Sequence, residues 1–320
     1  MSVPGTFGMN YQLLKWAYAT DPDPIKALFN GCLDLGYHPT VLHNTVISII
    51  PKPRKTNMVD PKSYWPISLL EMLSKLLEKI ITKWLIFEAG KHNLLPHTQF
   101  GGCDMTSCTD AGLCLVNNIH AYWNHKEHVS LLTMDISGYF NNIDHTQLIY
   151  TCQHLGYLDN ICNWLKSYLS NHTAQPQVDD VMCTPIALPS VSVPQGSPLS
   201  PILSSIYSIP LLQCLQDDCL STCAYIDDFS ILVHLPSVSY NIEILNEADS
   251  MAINTLTLLG LDFDMEKSDL IHFISPKQEP HSFNLNITHP NGKRYEIQHR
   301  HSIHWLGFYL DHYLNFKDHV

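Results

Sequence analysis

Two adjacent carboxylates, Asp227 and Asp228, stand between the apolar runs CAYI and FSILV. Apolar runs rich in β-formers, separated by a two-residue polar break, read as a β-hairpin. Neighbouring acids flanked by apolar strands repel each other and lose hydration. Either they form a solvent-exposed hairpin tip with no ligand, or a divalent cation relieves the repulsion. Oxygen-only ligation would then select Mg²⁺ or Mn²⁺. Asp135 closes another apolar run, VSLLTM, and is followed by a small-residue turn and Phe140. A third acid at a strand end is either a helix N-cap or the completion of a two-metal site of the kind used in phosphoryl transfer. The loop PQGSPLSP (194–201) lies between these acids in the chain, and its glycine lets backbone approach a ligand closely. The remaining acidic doublets, Asp179–Asp180 and Asp217–Asp218, read as a solvated loop and a polar helix end.

Around these segments the chain alternates without regular βαβ order, which predicts an α+β architecture. YQLLKWAYA and IKALFNGCLDLGY read as helices separated by DPDP, and TVISIIP as a strand entering the basic turn PKPRK. After Pro66, apolar residues at three- and four-residue spacing predict a core helix, with Ser68 and Glu71 as its capping box. Leu148, Ile149, Cys152 and Leu155 line one side of a short helix stopped by Gly156. Ile161, Trp164, Leu165, Tyr168 and Leu169 line another. ILSSIYSIPLLQCL reads as helix broken near Pro210.

The 320 residues are 45% hydrophobic and 15% charged, which excludes intrinsic disorder. No apolar stretch is long enough for a membrane span, and the N-terminus lacks a secretory signal, so an intracellular protein, nuclear or cytoplasmic, is expected. The 10 cysteines then read as reduced thiols. Neither Cys214, Cys219 and Cys223 nor Cys108, Cys114, His120, His125 and His128 have the spacing of a zinc site. Net charge is −12, unusual for a nucleic-acid binder. It is unevenly spread: residues 1–100 carry 10 basic and 7 acidic side chains, whereas 101–320 carry 8 and 23.

Taken in order, these segments resemble the reverse transcriptase domain of retrotransposons that lack long terminal repeats. IIPKPRK (49–55) and KSYWPISLLEMLSKLLEKI (62–80) look like the fingers motifs, and QFGGCDMTSCTDA (99–111) like the loop and helix start that follow. MDISGYFNNIDH (134–145) is similar to the first palm motif, PQGSPLSP to the loop supporting template and nucleotide, and YIDD (225–228) to the catalytic hairpin. LGLDFDMEKSDLIHF (259–273) and HWLGFYLDHYLNFKDHV (304–320) resemble the later palm motif and the hairpin where palm meets thumb. The resemblance implies a right-hand polymerase core with fingers and palm and an antiparallel palm sheet. Residues 1–130 are expected to be mostly N-terminal extension and fingers. Residues 131–320 are expected to be mostly palm, truncated before the thumb.

By the same resemblance the activity is RNA-directed DNA polymerisation, with RNA template, DNA primer and deoxynucleoside triphosphates as partners. Asp135, Asp227 and Asp228 would be catalytic and would hold two Mg²⁺ (or Mn²⁺) ions. Lys52, Arg54, Phe140, Gln195, Gly196 and Lys267 would bind nucleotide, Phe140 by excluding a ribose 2′-hydroxyl and Lys267 by giving a proton to pyrophosphate. Read singly, they are a basic loop, a core aromatic, a loop amide and a surface lysine. Three positions depart from the pattern: Trp65 stands where the family has an arginine, Cys103 where a second is expected, and Asn141 where an acid is common. Both arginine losses weaken the grip on phosphate. The alternative is thus a non-catalytic polymerase-fold remnant.

Overall fold

The computed structural model describes residues 5–53, 56–178, 181–275, 282–317 and 319. Arg54 and the Asp179–Asp180 doublet lie outside them. The helices and strands, in chain order, begin with α1 (Tyr11–Thr20), α2 (Asp23–Asp34), β1 (Asn44–Pro51), β2 (Tyr64–Leu69) and α3 (Met72–His92). Next come α4 (Cys108–Asn124), β3 (His128–Asp135), α5 (Tyr139–Asn142), α6 (His145–His154) and α7 (Asp159–Leu169). β4 (Thr173–Val178), β5 (Val181–Met182), β6 (Ile186–Ala187), α8 (Ser200–Tyr207) and α9 (Ile209–Gln213) follow. The last are β7 (Leu220–Tyr225), β8 (Asp228–Leu235), α10 (Val238–Leu258), β9 (Asp269–Phe273), β10 (Leu285–Thr288), β11 (Arg294–Ile297), β12 (Ser302–Trp305) and β13 (Phe308–Asp311). They divide into two compact units that interleave in sequence: 1–94 with 140–206, and 95–139 with 207–320.

In the first unit, β1 pairs antiparallel with β2 and parallel with β4, and β5 and β6 pair with β4. Helix α7 forms as its apolar spacing predicts, burying Ile161, Trp164, Leu165, Tyr168 and Leu169. Asp144 caps α6 by accepting from Gln147 N at 2.8 Å, and Gly156 beyond its end takes φ +85°. The expected capping box of Ser68 and Glu71 does not form. Ser68 lies in β2, its N–H bonded to the Gln195 carbonyl at 2.8 Å, and α3 begins at Met72. The buried Glu71 carboxylate is claimed instead by Thr6 Oγ1 at 2.6 Å and Phe7 N at 3.0 Å. Tertiary partners more than sixty residues away thus outcompete the local cap.

The second unit is built on an antiparallel four-stranded sheet in the order β7-β8-β3-β9. Six consecutive buried residues in β3, Val129 to Met134, mean that both faces of that strand are covered. Helices α4 and α10 both pack on β3. Ala111, Leu115 and Ile119 of α4 join Val129, Leu131, Leu232, Ile271 and Phe273 in the core, and the β12–β13 hairpin adds Ile303, Trp305 and Leu310. Helix α4 starts with a complete capping box, Ser107 and Asp110. The charge asymmetry follows this division: the first unit has 11 basic and 11 acidic residues, the second 7 and 19.

Candidate functional site

The β7–β8 hairpin closes through a two-residue turn, since Tyr225 pairs with Asp228 and only Ile226 and Asp227 lie between. Ile226 takes φ +59°, a left-handed conformation that is a genuine outlier for a β-branched residue. The segment before α4 holds it there. Ala224 N donates to Thr98 O at 3.0 Å, and Phe100 N to Ala224 O at 2.9 Å. Gly101 is pressed so closely on the turn that a Cβ there would stand 2.4 Å from Ile226 N. Strain of this kind persists only where surrounding structure over-determines it.

The tight turn aims acids at the end of β3. Asp135 lies directly opposite Asp228 in the β3–β8 register. Ile136 N donates to Asp227 O at 2.9 Å, pinning the turn to the strand that carries Asp135. Burial, then the charges of Asp227 and Asp135, push the Asp228 carboxyl up to about 6. Burial and Asp135 also raise Asp227. Lys267, from the short 3₁₀ turn 265–267, donates to Asp135 Oδ2 and lies 3.2 Å from Asp264 Oδ2. Burial works against its ammonium, but Asp135 and Asp264 outweigh that and raise its pKa. That turn is itself fixed by Asp264 N donating to Asp135 O at 2.8 Å.

Among the described residues no three ligating side chains converge on one point. The donor set nevertheless fits a hard divalent cation, because it is oxygen-only and the raised pKa of Asp227 and Asp228 marks carboxylates that positive charge beside them would stabilise. The Lys267 ammonium supplies part of it. Four of the expected site residues, Asp135, Asp227, Asp228 and Lys267, are therefore gathered in the second unit. Among the described residues no cysteine group is arranged so that it could hold a metal ion, and all ten cysteines are free thiols.

Lys52, Phe140, Gln195 and Gly196 belong to the first unit. Lys52 follows β1, its N–H bonded to Ser63 O at 2.8 Å. Phe140 is half-buried, and its carbonyl accepts from Val193 N at 2.7 Å. Gly196 has φ +119°, and a Cβ there would stand 2.9 Å from Ser68 O, so the loop requires glycine on both counts. A cavity of about 120 Å³ is lined by Ser68, Asn141, His145, His172 and Gln195 among others. A larger groove, about 1320 Å³, runs between α1 and α3 and reaches the same loop, with Tyr11, Trp16, Lys75, Lys79, Gly196 and Ser197 in its walls. Periodicity gave α1 its helix but no hint of this lining, because the residues that form it are distant in the chain.

Residues 50–310 match the family described as reverse transcriptase (RNA-dependent DNA polymerase). The RNA-directed DNA polymerase from mobile element jockey of Drosophila melanogaster is 27% identical over 304 residues, covering 92% of this chain and 32% of that protein. The probable RNA-directed DNA polymerase from transposon X-element of the same fly is 30% identical over 191 residues, 58% of this chain and 20% of that protein. The chain thus spans about a third or less of the length of these relatives. In fold it is similar to apo telomerase from Candida tropicalis, with a TM-score of 0.58 at 11% identity, over 87% of this chain and 55% of that one. Telomerase from Candida albicans superposes with a TM-score of 0.51 at 13% identity, over 78% of this chain and 44% of that one. The architecture is that of the right-hand polymerases, and no helix among the described residues is long and apolar enough to cross a membrane. Members of the matched family generally use divalent metal ions, and it is to this family, the reverse transcriptases, that the chain belongs.

Proposed function

We propose that the chain is the nucleotide-adding part of a retrotransposon RNA-directed DNA polymerase, acting in the nucleus or cytoplasm. It would extend a DNA primer on an RNA template with deoxynucleoside triphosphates. The observation that carries this reading is the set of three acids at the strand ends: Asp135 opposite Asp228, with Asp227 in the tight turn. Asp135, Asp227 and Asp228 would hold two Mg²⁺ (or Mn²⁺) ions, which when bound activate the primer 3′-hydroxyl and neutralise the leaving pyrophosphate. Lys267 carries a proton beside these acids that can pass to the pyrophosphate. Lys52 and Arg54 would face the triphosphate, Gln195 and Gly196 the template and nucleotide, and Phe140 would fill the space of a 2′-hydroxyl. Residues 1–130 would be mostly N-terminal extension and fingers, and residues 131–320 mostly palm.

Primer extension on a defined RNA template tests this. Extension should require Mg²⁺ or Mn²⁺, stop on chelation and resume when the metal is returned. A folded chain that adds no nucleotide at any concentration of either metal would sink the proposal in favour of the non-catalytic remnant.

Trp65 bears on how well the site grips its substrate. It lies in β2 opposite Ile50 and is 39% exposed, so it is not a sealed core side chain. Trp65→Arg therefore buries no unpaired charge and should change stability by less than about 1 kcal/mol. A guanidinium there should lower the apparent KM for nucleotide about tenfold or more, as one charge-assisted contact of roughly 1.5–3 kcal/mol allows. Nucleotide titrations beside thermal melts check both; an unchanged KM would mean that position 65 does not face the triphosphate.

A further inference from the structure

We propose that Glu78 is the positioning residue of the Pro194–Leu199 loop, fixing its geometry through Ser197. The proposal rests on the reading above that Gln195 and Gly196 border the substrate. Glu78 lies in the middle of α3, has no exposed surface, and receives three hydroxyl groups on two oxygens. Ser74 Oγ donates to Oε1 at 2.6 Å. Ser197 Oγ donates to Oε2, and Tyr168 OH reaches the same oxygen at 3.3 Å and Ser197 Oγ at 3.1 Å.

The direction of each hydrogen bond follows from this. A hydroxyl that donates to the carboxylate has only lone pairs left for other partners. Ser197 Oγ accordingly accepts from Leu199 N at 3.0 Å. Ser74 Oγ must accept from His38 Nε2, 3.0 Å away, so His38 carries its proton on Nε2. Its Nδ1 is buried without a partner among the described residues, and burial lowers the ring's pKa to about 3, which keeps the imidazole neutral. Two polarised chains, Leu199 N–H to Ser197 to Glu78 and His38 to Ser74 to Glu78, therefore end on one acceptor-only group. Burial raises the carboxyl pKa, whereas the three hydroxyls and the nearby Lys75 favour the ionised form.

The loop is tied at its other side by Ser68 N to Gln195 O at 2.8 Å, and Thr82 Oγ1 of α3 reaches Pro198 O at 3.2 Å. Gln195 and Gly196 are thus held between β2 and the buried Glu78 side chain. A neutral amide at position 78 offers one acceptor oxygen instead of two, so it cannot accept from each serine on a separate oxygen as the carboxyl group does.

Ser197→Ala removes the loop's link while leaving Glu78 with Ser74 and Tyr168. Ser74→Ala removes a comparable hydrogen bond on the far oxygen, away from the loop. If Glu78 positions the loop, Ser197→Ala and Glu78→Gln should raise the KM for nucleotide about tenfold or more with kcat little changed, as loss of a charge-assisted bond allows. Ser74→Ala should leave KM near that of the parent. Equal effects of the two serine variants would make Glu78 a plain stabiliser and overturn the proposal. Hydrogen exchange gives a readout that needs no activity. The Gly196 amide should exchange faster in Ser197→Ala than in Ser74→Ala, and equal exchange would again overturn it. A parent that adds no nucleotide would defeat the polymerase reading while exchange still decided the role of Glu78.

Discussion

Asp227→Asn should extinguish metal-dependent primer extension while leaving the protein as stable as before, or more so. Loss of one of the three acids proposed to hold the metals should cost about a thousandfold or more in rate. That corresponds to about 4 kcal/mol of transition-state stabilisation at roughly 1.4 kcal/mol per tenfold. Stability should move the other way because Asp227 is a desolvated carboxylate whose pKa is raised, and its charge adds to the load on Asp228. Removing that charge relieves the repulsion and should bring the Asp228 carboxyl down from about 6. Steady-state extension paired with chemical denaturation separates the outcomes. Lost activity with lost stability would mark Asp227 as a structural residue of the turn, and retained activity would displace it from the site.

Asp249→Asn should stabilise the second unit, and more so the higher the pH. Asp249 sits on α10 with no exposed surface, and neither carboxyl oxygen has a partner among the described residues. Burial raises its pKa to about 7, opposed by the charge of the neighbouring His289. The folded pKa is above that of an unfolded aspartate, near 3.9, so between these values the folded chain holds a proton that the unfolded chain has released. Stability therefore falls as pH rises from about 4 to about 7, and the loss is complete above that window. The difference corresponds to roughly 4 kcal/mol at about 1.4 kcal/mol per unit. Parent and variant should denature alike at pH 4 and diverge by about that amount at pH 8. His38 and His172, buried with pKa values lowered to about 3 and about 4, impose the opposite slope, but they do so in both proteins and cancel in the comparison. Coincident denaturation curves at pH 8 would mean that Asp249 is hydrated or paired in solution.

The segments that sequence reading handled well are those whose partners are close in the chain. The YIDD hairpin, the strand ending at Asp135, α7 and the Gly156 stop all follow from local period and turn chemistry. The ordered motifs then carried the fold class. Ser68 and Glu71 show where that fails: a capping box is a local inference, and both residues had better partners elsewhere, in Gln195 and in Thr6 and Phe7. The Lys267–Asp135 ion pair was legible as two motifs but not as a bond, since the residues lie far apart in sequence. Glu78 gave no signal at all. A glutamate on an amphipathic helix reads as part of its solvated face, and only the serines that fold onto it show why it is buried. Gly101 was visible within its motif, yet its purpose was not, because the turn it supports is more than a hundred residues later.

That support has a consequence for how such a chain erodes under random base change. Every single-base replacement at the first or second position of a glycine codon adds at least a side chain or ends translation. At position 101 even a methyl group would collide with the backbone of the acid-bearing turn. The hairpin's aim is thereby hostage to a codon far upstream that encodes no charge and no ligand. Counting intact acids would score such a copy as sound, although its acids no longer pointed where they must.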